Sequence, residues 1–120
     1  MIQKSTILNV SDTCGITKVR CFHVYGKKKH FIGVVGNFVK VSVRRTHSRL
    51  NQVFKKKKIK AIFILFKQNF IKPDGSSIKF YKNSCVLLKK RLTPRGKLVS
   101  GPTIFNLKRK KFILSFSKCL

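Results

Sequence analysis

Cys21 and His23 are the nearest approach in this chain to a nucleophile–base pair. Such a pair needs a third group to orient the imidazole, and none is evident beside it. On an alternating strand the two would share one face, where His23 is more simply a structural residue. Carboxylate acid–base catalysis needs a tuned pair. The sequence has no Glu, and its two aspartates, Asp12 and Asp74, both fall in turn contexts. Cys14, Cys21, Cys85 and Cys119 form no Cys-x-x-Cys, and no histidine stands at ligand spacing from a cysteine pair. No zinc site is expected, and the thiols read as reduced and half-buried. The glycines at 26, 33 and 36 make no phosphate loop of Walker type. The residues point away from an enzyme and require no cofactor.

The cations are the stronger signal. Lys and Arg number 29 against 2 acids, a formal charge of +27. Self-repulsion of that size opposes folding unless a polyanion neutralises it. Nucleic acid and anionic membrane are the common partners with enough charge. The cations cluster at Lys27, Lys28 and Lys29; at Arg44, Arg45 and Arg49; at Lys55, Lys56, Lys57 and Lys58; at Lys89-Lys90-Arg91; and over Lys108–Lys111. Most of these fall in expected loops or at strand ends, where a rigid scaffold presents them to phosphates. Lysine outweighs arginine, which favours backbone neutralisation over base reading. No run approaches the ~18 apolar residues of a membrane-crossing helix. A membrane-active reading needs a strong amphipathic helix, and the C-terminal candidate is short and mixed.

The elements that must hold these cations are mainly strands. Apolar residues make up 42% of the 120, enough for one domain with a real core. Thr6–Val10 reads as a short strand, followed by a turn over Ser11–Gly15. Thr17–Tyr25 alternates, with Val19, Cys21 and His23 on one face and Lys18, Arg20, Phe22 and Val24 on the other. Phe38–Val43 alternates too, with Val39, Val41 and Val43 together. The polar basic segment after it is long for a hairpin and reads as a functional loop. Ile59–Phe66 is apolar on both faces apart from Lys60, as in a strand covered on both sides. Phe38, Phe63, Phe66 and Phe80 read as core. Pro73-Asp74-Gly75 is a turn: proline fixes φ, aspartate bonds its own backbone and glycine accepts φ > 0. A hairpin is expected around it, then a strand over Cys85–Leu88. Beyond residue 91, Pro102 suits the start of a short helix over Thr103–Lys108. Phe112, Ile113, Phe116 and Leu120 are spaced for a second. The expected architecture is mainly β: about five strands closing as a small barrel over residues 1–90, with a C-terminal appendage over 91–120.

The stretch Ala61-Ile62-Phe63-Ile64, followed at fixed intervals by Asp74-Gly75, Phe80, Asn83 and Val86-Leu87, resembles the signature of the universal large-subunit ribosomal protein fourteen family. The family prefers an aliphatic residue where Phe63 stands. The similarity runs through the chain: Met1-Ile2-Gln3, Thr6, Asn9-Val10, Gly15, Val19-Arg20-Cys21, Gly33-Val34, Gly36, Val41-Ser42-Val43, Pro94-Arg95-Gly96, Gly101-Pro102 and Phe112 keep the family's order. The resemblance implies a five-stranded β-barrel with a C-terminal region of loops and two short α-helices. It implies binding to large-subunit rRNA, packing against neighbouring ribosomal proteins and bridges to small-subunit rRNA across the subunit interface. It also implies docking of a ribosome-silencing factor on the C-terminal part. Family basic positions fall on Arg44, Arg45, Arg49, Lys72, Arg95 and Lys97, which join Lys27–Lys29, Lys55–Lys58 and Arg91 as expected rRNA contacts. Pro73, Asp74 and Gly75 are expected to serve the turn alone. Lys57-Lys58 replace a common Gly-Asp. Asn106-Leu107-Lys108-Arg109 stand where acids are common, and Leu98 and Leu114 where many relatives are basic; these changes bear on silencing-factor docking.

The chain is rich in Phe, Ile, Lys and Asn, whose codons are A/T-rich, and Met1-Ile2-Gln3-Lys4 leads directly into strand-like sequence. No targeting segment is expected. Together these suggest an organelle-encoded protein of the mitochondrial ribosome, with a plastid or an A/T-rich bacterium as alternatives. A free RNA-binding chaperone with a similar barrel is the alternative function.

Overall fold

A computed structural model describes residues 2–26, 36–47, 57–96, 98–99 and 118–119. Five strands close a barrel in the order β1 (Ile7–Val10), β2 (Ile16–Val24), β3 (Phe38–Thr46), β4 (Lys58–Leu65) and β7 (Ser84–Leu87). Neighbours are antiparallel except at the seam, where β1 runs parallel to β7 through Asn9↔Ser84 and Val10↔Cys85. Closure leaves the barrel without a free sheet edge. A two-stranded hairpin, β5 (Phe70–Ile71) and β6 (Ser77–Ile78), stands outside it, as does the parallel pair β8 (Leu98–Val99) and β9 (Lys118–Cys119). The two expected C-terminal helices lie outside the described residues, apart from Lys118–Cys119. Those two form the short strand β9.

The alternation of β3 behaves as expected. Val39, Val41 and Val43 fill the barrel, while Phe38, Lys40 and Ser42 face outward and are half-exposed. From Ala61 onward β4 is buried on both sides, which explains its continuous apolar run there. Ile59, Ala61 and Phe63 enter the barrel core. Ile62, Ile64 and Leu65 pack outside it with Val86, Leu88 and Val99. The segment after β7 therefore covers one half of the outer face of β4. Phe63 and Phe66 are buried, whereas Phe38 and Phe80 are half-exposed partners of the clusters.

The face assignment of β2 needs correction. Val19 and Cys21 point inward as expected, but His23 is exposed and Val24 takes the inner position. The cause is a β-bulge: Cys21 pairs with Val41 and His23 with Lys40, so Phe22 has no partner of its own. A bulge inserts one residue and reverses the alternation beyond it. Val24 is thereby returned to the core, and Phe22, His23 and Tyr25 follow on the outside.

The hairpin turn works by the chemistry read from its sequence. Lys72 N donates to Ser76 O at 2.7 Å and Gly75 N to Lys72 O at 3.0 Å. Asp74 Oδ1 accepts from the Ser76 amide at 3.0 Å and its hydroxyl at 2.7 Å. Gly75 has φ +89°, the left-handed region where a side chain would strain the turn. The Ser76 hydroxyl, then its amide, hold the Asp74 carboxyl below the ordinary carboxylate value of 3.8. That contribution to stability is full above 3.8 and fades as pH falls through the lowered folded value. Asp74→Asn should lower the melting temperature at neutral pH and flatten the acid limb of a Tm–pH curve, with RNA binding unchanged. Lost RNA binding at unchanged Tm would contradict this.

Candidate nucleic-acid interface

Asn83, a member of the signature, has a clear local task. Its Oδ1 accepts from Lys67 N at 3.0 Å, and its backbone carbonyl accepts from Asn9 N at 3.0 Å. It thereby anchors the segment around the hairpin to the parallel seam. A tight turn follows β7: Lys89 N donates to Thr93 O at 2.7 Å and Leu92 N to Lys89 O at 2.9 Å. Leu92 adopts φ 61° in this turn while packing on the outer cluster. Lys89, Lys90 and Arg91 project from it, exposed.

The covering segment stops short of the N-terminal half of β4. There the outer face of the sheet becomes basic and aromatic. The register sets Lys40 directly opposite Lys60, and Ser42 opposite Lys58. Like charges directly across a strand pair are destabilising. The partners holding these ammoniums are rings. Lys40 and Lys58 Nζ lie 5.9 and 5.8 Å from the Phe22 ring centroid. Lys60 Nζ lies 4.9 Å from that of Tyr25 and 5.1 Å from that of Phe38. His23 meets Tyr25 edge-on at 4.8 Å. Rings attract cations through their quadrupole without cancelling charge.

Between this face and the 88–95 turn lies an open cleft of about 470 Å³. Lys40, Lys58, Lys60, Lys89, Lys90 and Arg95 line it with Tyr25, Ile59, Leu88 and Leu92. Arg95 is fixed to its wall by Nε, which donates to Leu88 O at 3.3 Å. Neither aspartate lines the cleft.

Of the expected rRNA contacts, Lys58 and Arg95 come together in this cleft, with Arg91 on the adjoining turn. Arg44 and Arg45 stand exposed at the end of β3, where Arg45 pairs in register with Lys18 of β2. Lys57 is exposed just before β4. Lys72 lies at the base of the hairpin turn, close enough to Asp74 to help lower its pKa. Lys27, Lys28, Lys29, Arg49, Lys55, Lys56 and Lys97 lie outside the described residues. Sequence reading did not single out Lys40, Lys60 and Tyr25. The signal available was a lone lysine, Lys60, interrupting a strand apolar on both faces.

The other chemical candidates come apart. The bulge leaves Cys21 inside the barrel and His23 outside it, so they do not form a nucleophile–base pair; the Cys21 thiol instead meets the His23 carbonyl at 3.7 Å. Burial pushes the Cys21 and Cys85 thiols up. Burial, then the hydrogen bond to Asp12 and its charge, pushes Cys14 up to about 12. Thiols held protonated are poor nucleophiles and metal ligands. Among the described residues no group of three or more His, Cys, Asp or Glu is placed to hold a metal ion.

Asp12 does more than shape its turn. Its Oδ1 accepts from Cys14 N and its Oδ2 from Leu87 N, each at 3.3 Å, and the Gly96 amide bonds the same carboxylate. Gly96 packs so closely that a Cβ there would lie 2.7 Å from Thr13 N and 2.8 Å from Asp12 Cβ. Asp12 also bridges to Val99. It joins the β1–β2 turn, β7 and the covering segment at one point.

Residues 1–119 match the family model described as ribosomal protein L14p/L23e. The chain belongs to that family. It is also 51% identical over 116 residues, 97% of each chain, to the large ribosomal subunit protein uL14m of Tetrahymena pyriformis. Membership gives the barrel its context: this is a structural protein of the large ribosomal subunit, and not an enzyme.

Proposed function

We propose that the protein binds large-subunit rRNA through its exposed cations, within a mitochondrial ribosome. The observation that carries this is the Lys40–Lys60 pair. Two lysines face each other across neighbouring strands, and neither carboxylate of the chain lines the cleft they share. A phosphate backbone is the natural counter-charge for such a face. Arg44, Arg45, Arg49, Lys57, Lys58, Lys72, Arg91, Arg95 and Lys97 supply further contacts, as do Lys27–Lys29 with Lys55 and Lys56. The mitochondrial assignment draws on the suffix of the uL14m relative and on the A/T-rich codon bias of the composition. Family membership supports neighbouring ribosomal proteins as partners, small-subunit rRNA across the subunit interface, and a ribosome-silencing factor at the C-terminal part.

Stoichiometric recovery with the large subunit of purified mitochondrial ribosomes is the expected result. Replacing Arg44, Arg45 and Arg49 together by Gln should weaken rRNA binding and flatten its dependence on salt. On duplex RNA the slope of log K against log salt should fall by about 0.9 for each phosphate no longer neutralised, taking the duplex DNA coefficient. An unchanged slope removes these three as phosphate ligands. Recovery outside ribosomes on many RNAs alike would indicate a free chaperone instead.

A further inference from the structure

We infer that the cleft between the outer face of β2–β4 and the 88–95 turn is a seat for one unpaired RNA strand, and that Phe22 and Tyr25 hold its lysines in place. The inference rests on the rRNA-binding reading above and names a site within it. Three observations carry it. The first is size. A volume of about 470 Å³ matches a small-molecule pocket and admits roughly a single nucleotide. A duplex of that backbone meets only the rim. The second is charge. Lys40 and Lys60 are cross-strand partners, and Lys58, Lys89, Lys90 and Arg95 converge on the same space from two elements. Six cations around one nucleotide-sized opening suit a backbone that folds sharply and crowds its phosphates.

The third observation is how the ammoniums are held. A surface lysine paired with a carboxylate gives up much of its charge to that partner. Here Phe22 holds Lys40 and Lys58, and Tyr25 shares Lys60 with Phe38. The rings limit the wandering of the side chains and leave the full positive charge for the ligand. Phe22 faces outward by the ordinary alternation from Cys21, and the bulge at Cys21/His23 brings Tyr25 to the same side. They are positioning residues: they act on RNA through the lysines.

The test uses the full chain with a short oligouridylate and, separately, an RNA duplex of equal charge. Affinity is measured across a potassium chloride series. Lys40→Gln with Lys60→Gln should reduce the salt slope on oligouridylate by about 1.4, or 0.7 per ammonium removed. Phe22→Leu with Tyr25→Leu should weaken binding about three- to tenfold and leave the slope unchanged, since the charges remain. Phe22→Tyr with Tyr25→Phe keeps both rings and should bind like the parent. A cooperative melt for each variant separates these effects from misfolding. An unchanged slope in the lysine variant overturns the seat. Unchanged affinity in the leucine variant, or failure of the ring-preserving variant to restore it, overturns the positioning role. Tighter binding of the duplex, or displacement of oligouridylate by polyglutamate at equal charge, assigns the cleft to another partner. If the parent is absent from the large subunit, the function reading fails as well; if it is present while the variants behave as the parent, only the cleft fails.

Discussion

Phe63→Ala should cost about 3–5 kcal/mol of unfolding free energy, the range for a buried ring deleted from a core. Among the described residues Phe63 is the largest fully buried side chain, at 0% exposure. Its ring meets Phe66 edge-to-face at 6.3 Å, and Phe66 meets Phe80 in the same way. Deleting it opens a cavity in the middle of β4, where the strand is buried on both sides and has little room to collapse. A domain of this size has only about 5–15 kcal/mol in total. With +27 formal charges repelling one another, the isolated protein is expected near the lower end. The variant should then be only marginally stable without a polyanion and gain stability when RNA is added. Urea denaturation with and without RNA measures both. A loss below about 1 kcal/mol would mean that Phe63 does not centre the core, since even trimming one buried methyl costs that much. Phe63→Ile, towards the family's aliphatic preference, should cost less than the alanine change because it leaves a smaller void.

Asp12→Ala should have the second largest effect. The carboxylate receives amides from three segments, and each amide left unpaired in a buried setting costs ~1–3 kcal/mol. The loss should be felt most in the covering segment, which carries Arg95 and the wall of the cleft. RNA affinity should therefore fall along with stability, unlike the Asp74→Asn change. The pH dependence gives a second reading. Burial raises the Asp12 carboxyl above the ordinary value of 3.8, outweighing the hydrogen bonds that lower it. The native state thus keeps this proton to higher pH than the unfolded chain. Stability falls as pH rises from about 3.8 through the folded value and levels off beyond it. The sign is opposite to that of Asp74. In Asp12→Asn this decline should vanish; its persistence in urea titrations at successive pH values would show that another group is responsible.

Much of the barrel was legible in the residues. The alternation at Val39, Val41 and Val43 placed one strand and its inner face. The continuous apolar run over 59–66 indicated a strand covered on both sides, and Ile62, Ile64 and Leu65 are indeed packed outside the barrel. Pro73-Asp74-Gly75 specified its hairpin because turn chemistry is local: each bond in it spans a few residues. The charge excess indicated a polyanionic partner without any geometry at all.

The site was less legible, for a physical reason. Whether His23 faces in or out depends on one extra residue in the pairing of β2 with β3. Periodicity within β2 carries no record of that, because a bulge is decided by both strands and by what each must bury. Asp12 read as a turn residue because its amide partners, Leu87 and Gly96, are distant in sequence. Lys40 and Lys60 looked like isolated cations until the register set them side by side. The sequence by itself determined the inner face of β3, the double cover of β4 and the hairpin turn, because these follow from local chemistry and composition. Only the tertiary structure decided which lysines converge, which rings hold them and where the covering segment stops, because cross-strand register and barrel closure join residues that no local pattern connects.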